Sequence, residues 1–200
     1  KSAASMKGIR KSMSEITLNP NNILMSELEK KKILGEGTFG RVELCYHRRT
    51  GTSWALKTQQ KAQIAEAKQQ KACMLEKKVM ASLRHPFVLL LEATYQDANL
   101  LFMLLECVPG GELFQLLAEQ PTGCVSTDAA RFYGGCVIDA FSYMHEQKVV
   151  YRDLKPENIL LDVEDKIILC DYGLCTRVTE STGLTDFCGS PGFFPPEMIT

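Results

Sequence analysis

Four polar residues stand inside a stretch that is otherwise apolar, and that conflict constrains the chain more than any other feature. Val149-Val150 leads into Tyr151-Arg152-Asp153-Leu154-Lys155-Pro156-Glu157-Asn158, and Ile159-Leu160-Leu161 leads out. The run from Lys166 to Cys170 then delivers Asp171-Tyr172-Gly173. Short apolar runs bounded by polar turns predict brief buried strands joined by loops. Asp153, Lys155, Asn158 and Asp171 must therefore find partners or face a cleft, because an unpaired polar group in an apolar core is costly. The set suits magnesium-assisted phosphoryl transfer: one Asp to orient a hydroxyl, a Lys to meet phosphate charge, and Asn with Asp as hard oxygen ligands.

Composition narrows the class. A net charge of -1 on 200 residues gives no electrostatic pull towards polyanions and argues against a nucleic-acid partner. Eight cysteines are scattered without a Cys-x-x-Cys pair, which fits neither a zinc framework nor a secreted disulfide scaffold. A reducing compartment follows, so the expected location is cytoplasmic or nuclear. The longest apolar runs are broken by Glu92 and Glu106, short of the ~18 residues of a membrane span, and the start lacks the apolar core of a signal peptide.

Residues 1–26 are polar and Ser-rich and read as a linker or tail, with Arg10-Lys11 before Ser12 and Ser14 as a basic-directed phosphorylation motif or plain solvated chain. Gly35-Glu36-Gly37-Thr38-Phe39-Gly40 follows. A dinucleotide-binding fingerprint must open a helix after its last glycine. Here Val42, Leu44 and Tyr46 alternate with Arg41, Glu43 and Cys45, a strand period, so the glycines sit in a turn between two strands. Such a flap can lie over phosphates with its backbone N–H groups.

Alternation in Ser53-Trp54-Ala55-Leu56-Lys57 places Lys57 on the side of Ala55. A helix then carries Ala72, Leu75, Val79, Met80 and Leu83 at helical spacing, with Glu76 inside the apolar stripe. A Lys57–Glu76 ion pair satisfies both charges. His85-Pro86-Phe87 ends the helix, and strand-like runs are expected over about 87–95 and 100–105. After Ser126, the positions Ala129, Phe132, Tyr133, Cys136, Val137, Ala140, Phe141 and Met144 predict an amphipathic helix whose aromatics belong to the core.

The stretch from Tyr151 to Asn158, with Asp171-Tyr172-Gly173, resembles the catalytic loop and metal-binding motif of protein kinases. The glycine turn, Lys57 and Glu76 resemble that family's nucleotide flap, strand lysine and C-helix glutamate. The resemblance covers about residues 30–200 and implies an α+β, two-lobed fold: an antiparallel β-sheet lobe with the C-helix (27–105), a hinge (106–112) and a mainly helical lobe (113–200). The family continues well past Pro196-Glu197, so a fragment truncated in its helical lobe is implied.

The resemblance assigns Asp153, Lys155 and Asn158 to catalysis, and Asn158 with Asp171 to magnesium. For ATP it implies Gly35, Glu36, Gly37, Gly40, Val42, Ala55, Lys57, Glu76, Leu160 and the backbone of Glu106 and Val108, with Leu105 guarding the pocket behind the base. Asp-Leu-Lys-Pro-Glu-Asn resembles the serine/threonine pattern. Pro109-Gly-Gly-Glu-Leu-Phe114 and Phe187-Cys-Gly-Ser-Pro191 resemble the AGC group, and Arg131-Phe-Tyr-Gly-Gly-Cys-Val137 resembles its cyclic-nucleotide-dependent kinases, the cGMP-dependent branch especially. The implied partners are proteins with Ser or Thr acceptors and basic flanking residues read by Glu112 and Glu157, with Ser190 touching Asp153 and Lys155. A cyclic-nucleotide regulatory module would lie outside residues 1–200.

Tyr172 replaces the family's usual Phe, and Asp186 stands where its activation-loop phosphothreonine belongs, with Thr185 beside it. Gly192, Phe193 and Pro195 also depart from the pattern. Asp186 offers one charge where phosphothreonine offers nearly two; either it pairs Arg152 and weakly orders the loop, or the loop simply lacks that switch. The rival reading is a nucleotide-binding scaffold without turnover. A small-molecule kinase fits the segment from Ser190 to Glu197 less well.

Overall fold

The computed structural model describes residues 19–178, 184 and 186–199. Thr185 and the Arg10-Lys11-Ser12 motif lie outside the described residues. The chain divides into two compact units, Lys1–Ala81 with Leu90–Cys107, and Ser82–Leu89 with Val108–Thr200.

The first unit is a five-stranded antiparallel sheet in the order β1-β2-β3-β5-β4. Its strands are β1 (Leu28–Gly37), β2 (Gly40–His47), β3 (Ser53–Gln60), β4 (Leu91–Gln96) and β5 (Leu100–Glu106). Helices α1 (Lys61–Glu66) and α2 (Gln70–Ser82) follow β3. Because side chains alternate across a strand, β3 presents Leu56 and Thr58 to one face and Ala55, Lys57 and Gln59 to the other. Leu56 joins Ile23, Leu28, Cys45, Ala93, Phe102 and Leu104 in the core of the first face. Helix α2 meets the second face, where Cys73 Sγ donates to Gln59 Oε1 at 3.5 Å.

The alternation in β2 is present, but its buried members are Glu43, Cys45 and His47, while Val42 and Leu44 are half-buried and Tyr46 is exposed. Two cations make this tolerable: Lys30 Nζ lies 2.8 Å and Arg41 Nη2 3.2 Å from the Glu43 carboxylate. His47 Nδ1 lies 2.7 Å from Thr50 Oγ1.

Residues 19–26 are not tail. Ile23 is only 3 % exposed and lies in the sheet core. Its carbonyl accepts from Tyr95 Oη at 2.7 Å, and Asn21 Nδ2 donates to Glu92 Oε1 at 2.9 Å. Ile23, Leu24 and Met25 form an apolar run too short to show a period, and Leu24 is exposed, so only the packing reveals Ile23 as the anchor.

The second unit contains α3 (Leu113–Glu119), α4 (Thr127–Glu146) and two small strand pairs. One joins β6 (Val149–Val150) to β9 (Thr176–Arg177), the other β7 (Ile159–Leu161) to β8 (Ile167–Leu169). Ser126 caps α4 by accepting from the Ala129 N–H at 3.2 Å. Cys136, Ala140 and Met144 form the buried strip of α4. The expected aromatic core is only partly there: Phe132 is 48 % exposed, and Tyr133, Phe141 and Tyr143 are half-buried. A 20-residue helix is about 30 Å long, whereas the strands it packs on, β6 and β8, have two and three residues. They support its C-terminal turns and leave the N-terminal ones uncovered.

The run over 87–95 is also divided. Leu169 N donates to Phe87 O at 2.9 Å and Leu89 N to Leu169 O at 3.0 Å, so this stretch lies along β8 in the second unit. Its backbone groups are committed there, and β4 starts only at Leu91.

All eight cysteines are free. Among the described residues, no helix is long and apolar enough to cross a membrane.

Candidate active site

In the first unit, strand register sets the arrangement. Residues directly opposed on neighbouring strands share a face. Val42 opposes Lys57 and Leu44 opposes Ala55, while across β3 Met103 opposes Lys57 and Leu105 opposes Ala55. Val42, Ala55, Lys57 and Leu105 therefore line one face. Lys57 Nζ lies 2.5 Å from Glu76 Oε1 on α2, whose side chain is 6 % exposed. The ion pair expected from the spacing is formed.

The glycines form a hairpin, with Gly37 paired to Gly40 and strand on both sides. A Cβ on Gly40 would stand 1.8 Å from the Thr58 carbonyl, so this glycine is required for β2 to approach β3. A Cβ on Gly35 would meet nothing within 4 Å and one on Gly37 only the Gly40 carbonyl at 4.0 Å. Those two positions, with Glu36 exposed between them, leave room for a ligand against the backbone. Glu106 closes β5, its N–H donating to Leu90 O at 3.1 Å and its carboxylate accepting from Leu90 N at 2.6 Å.

The second unit gathers the remaining candidates. Val150 ends β6, Pro156 opens a one-turn 3-10 helix (Pro156–Asn158), and the loop between them carries Asp153 and Lys155. Asp153 is 8 % exposed and Asn158 5 %. Asn158 Nδ2 donates at 2.8 Å to both the Asp153 carbonyl and Asp153 Oδ2. Lys155 Nζ lies 3.2 Å from Asp153 Oδ2 and donates to Ser190 Oγ at 2.8 Å, and Ser190 Oγ in turn donates to Asp153 Oδ1 at 2.7 Å. Burial works to raise the pKa of Asp153, but the donors Ser190, Lys155 and Asn158 outweigh it, and the carboxyl stays below its ordinary value. It is held as a carboxylate.

Asp171 follows β8 with a left-handed φ of +55° and an exposed side chain. Its Oδ1 accepts from the Gly173 N–H at 3.1 Å. The Cys170 N–H donates to the Asn158 carbonyl at 3.0 Å, which ties the two expected metal ligands together through one backbone bond. Asn158 uses its N–H groups on Asp153, which leaves its amide oxygen as an acceptor. That oxygen and an exposed carboxylate are the hard donors magnesium prefers, so the residues fit the ion.

Glu112 precedes α3, which packs on the 156–158 turn, and bridges to Leu160 on β7. Among the described residues, Glu157 Oε2 is buried without a hydrogen-bond partner. Arg152 Nε donates to Leu174 O at 2.7 Å, and Arg152 Nη1 lies 3.8 Å from Asp186 Oδ2, whose side chain is 82 % exposed. Beside Asp153 opens a cavity of about 580 Å³ whose lining includes Arg152, Leu154, Phe187, Ser190, Phe193 and Phe194. Val108 is half-buried in this unit.

Sequence reasoning missed the two tyrosine hydroxyls. Tyr151 Oη donates to Cys170 O and Tyr172 Oη to Leu169 O, the two carbonyls just before Asp171. A signal was available: a phenol in a buried run needs a partner for its hydroxyl.

These elements, an antiparallel sheet unit carrying a lysine–glutamate pair and a mainly helical unit carrying the Asp153 loop, define the fold class of protein kinase domains. Residues 28–200 match the protein kinase domain family, and the chain belongs to it. It is 41 % identical over 176 residues to serine/threonine-protein kinase Sgk1 of Fundulus heteroclitus, covering 87 % of this chain and 40 % of that protein. It is 40 % identical over 184 residues to a cGMP-dependent protein kinase of Plasmodium berghei, covering 92 % of this chain and 21 % of the relative. A cAMP-dependent protein kinase catalytic subunit-like protein of Caenorhabditis elegans is 37 % identical over 184 residues, 92 % of this chain and 45 % of its own length. The chain thus spans under half the length of these relatives. The AGC resemblance stands, but the near-equal identities do not single out the cGMP-dependent branch.

Proposed function

We propose that this chain catalyses transfer of the ATP γ-phosphate to Ser or Thr hydroxyls of proteins. The observation that carries the reading is the Ser190 hydroxyl held 2.7 Å from Asp153 Oδ1 and 2.8 Å from Lys155 Nζ. A hydroxyl placed between a carboxylate and an ammonium is the arrangement a phosphoacceptor needs: Asp153 orients it and takes its proton, and Lys155 offsets charge on the transferring group. Lys57, oriented by Glu76, holds the α- and β-phosphates, and the backbone of Gly35, Glu36, Gly37 and Gly40 covers them. Val42, Ala55 and Leu160 contact the base, and the backbone of Glu106 and Val108 bonds it. Asn158 and Asp171 would hold magnesium, whose charge would offset that of the phosphates. The residues act by positioning and electrostatics, with no covalent enzyme intermediate.

Glu112 and Glu157 supply carboxylates for basic residues near the acceptor, and the unpartnered Glu157 Oε2 supports that preference. Asp186 orders its segment weakly through Arg152.

The test is magnesium-dependent phosphate transfer to an Arg/Lys-rich Ser peptide by the full-length protein. Turnover is expected in the parent, with a loss of about 10³-fold in Asp153→Asn. ATP binding with no turnover in either protein would replace the enzyme by a nucleotide-binding scaffold. Stimulation of the parent by added cGMP would support a cyclic-nucleotide-regulated kinase; an unchanged rate would count against that finer reading.

A further inference from the structure

The two residues before the expected metal ligand Asp171 have both their N–H and their carbonyl groups anchored. Leu169 N donates to Phe87 O at 2.9 Å, and Leu169 O accepts from both Leu89 N at 3.0 Å and Tyr172 Oη at 2.8 Å. Cys170 N donates to Asn158 O at 3.0 Å, and Cys170 O accepts from Tyr151 Oη. Immediately after these bonds the chain turns into the left-handed conformation at Asp171, φ +55°. Asp tolerates such a conformation better than most non-glycine residues, and the bonds around it fix where it occurs.

The two phenols brace each other. Tyr172 is fully buried and Tyr151 is 2 % exposed, and their rings meet edge to face with centroids 5.6 Å apart. A Phe at position 172 would fill the same ring volume and lose the bond to Leu169 O. That bond spans Cys170 and Asp171 and closes a short loop around the metal ligand. The Asp171–Gly173 segment therefore cannot swing out without breaking it.

We propose that Tyr172 is a positioning residue for Asp171: its hydroxyl, with that of Tyr151, holds the end of β8 so that the Asp171 carboxylate is presented for magnesium. The inference rests on the reading of Asp171 as a metal ligand. Both hydroxyls act through the backbone; neither is placed on substrate or metal.

The experiment compares the full-length parent with Tyr172→Phe, Tyr151→Phe and Asp171→Ala. Binding of a fluorescent ADP analogue is titrated with magnesium, thermal unfolding is followed in parallel, and amide hydrogen exchange is measured without metal. Removing one such hydroxyl is expected to raise the magnesium midpoint about fivefold, the size of one ordinary hydrogen bond. Exchange at the Leu169 and Cys170 amides is expected to quicken. A hydroxyl that served only core stability would lower the unfolding temperature and leave the magnesium midpoint in place. Tyr172→Phe with an unchanged midpoint, while Asp171→Ala raises it, overturns the positioning role and spares the metal assignment. An unchanged midpoint in Asp171→Ala overturns both.

Discussion

The two units hold their functional charges in different ways. In the first, Lys57 on β3 is met at 2.5 Å by Glu76 on α2. In the second, Asp153 is fixed by Ser190, Lys155 and Asn158 at once, and the neighbouring Asp171 sits at the end of a segment whose backbone bonds are doubled by two phenols. A carboxylate with several donors is over-determined, so losing one donor shifts its properties without releasing it. A pair between a strand and a helix ties the two elements together, and removing the Lys57 cation would leave the Glu76 carboxylate, 6 % exposed, without that ion pair. The first arrangement suits an element that must be set or unset as a whole; the second suits a loop that must not move.

This contrast can be broken in graded steps. The largest effect belongs to Asp153→Asn, where the charge itself is lost. Next comes the Lys57–Glu76 pair. Glu76→Gln is expected to lower kcat/KM for ATP about 100-fold and to cost about 1–2 kcal/mol in urea unfolding, less than for a fully buried pair because the Lys57 side chain is 24 % exposed. The double variant Lys57→Met/Glu76→Gln should be much less than additive. Additive losses would show that the two side chains act separately.

A smaller effect is expected for Ser190→Ala, and it should appear in the pH profile. The pKa of Asp153 lies below its ordinary value, so activity should hold as pH falls through the usual Asp range near 3.9. By the same sign, ionisation of Asp153 stabilises the fold above its ordinary pKa, and that stability is lost as pH falls through the lowered folded value. Removing the Ser190 donor should move the acid limb of kcat/KM upwards, with the rate at neutral pH falling about tenfold or less. An unmoved limb would mean that Lys155 and Asn158 set the carboxylate alone.

The smallest effect is expected for Asp186→Ala. A 3.8 Å contact to a largely exposed carboxylate is worth little, so activity should fall less than about fivefold, with the difference shrinking at high salt. Unchanged activity at low salt would remove the pair from the account of loop ordering.

Much of this was legible in the residue order. The strand period after Gly40 ruled out a helix there, and Glu76 inside an apolar helical stripe pointed to a partner cation. The polar residues between Val150 and Ile159 marked the loop that brings Asp153, Lys155 and Asn158 into one cluster. Other features were not legible. Ile23 opens an apolar run of three residues, too short to show a period, yet it anchors residues 19–26 in the sheet core. The strand-like run from Phe87 is divided between β8 and β4 by which backbone groups find partners. Phe132 fits the helical stripe, but the strands beneath α4 are too short to cover it.

What the sequence determined by itself was the set of functional groups and the local elements that carry them, since periodicity and turn chemistry act over neighbouring residues. Tertiary structure alone decided how each group is held: which glycine is forced by the approach of β2 to β3, which donors settle on Asp153, and which carbonyls the two phenols take. Those outcomes depend on atoms brought together from distant parts of the chain, and no local pattern in the sequence encodes a distance between them.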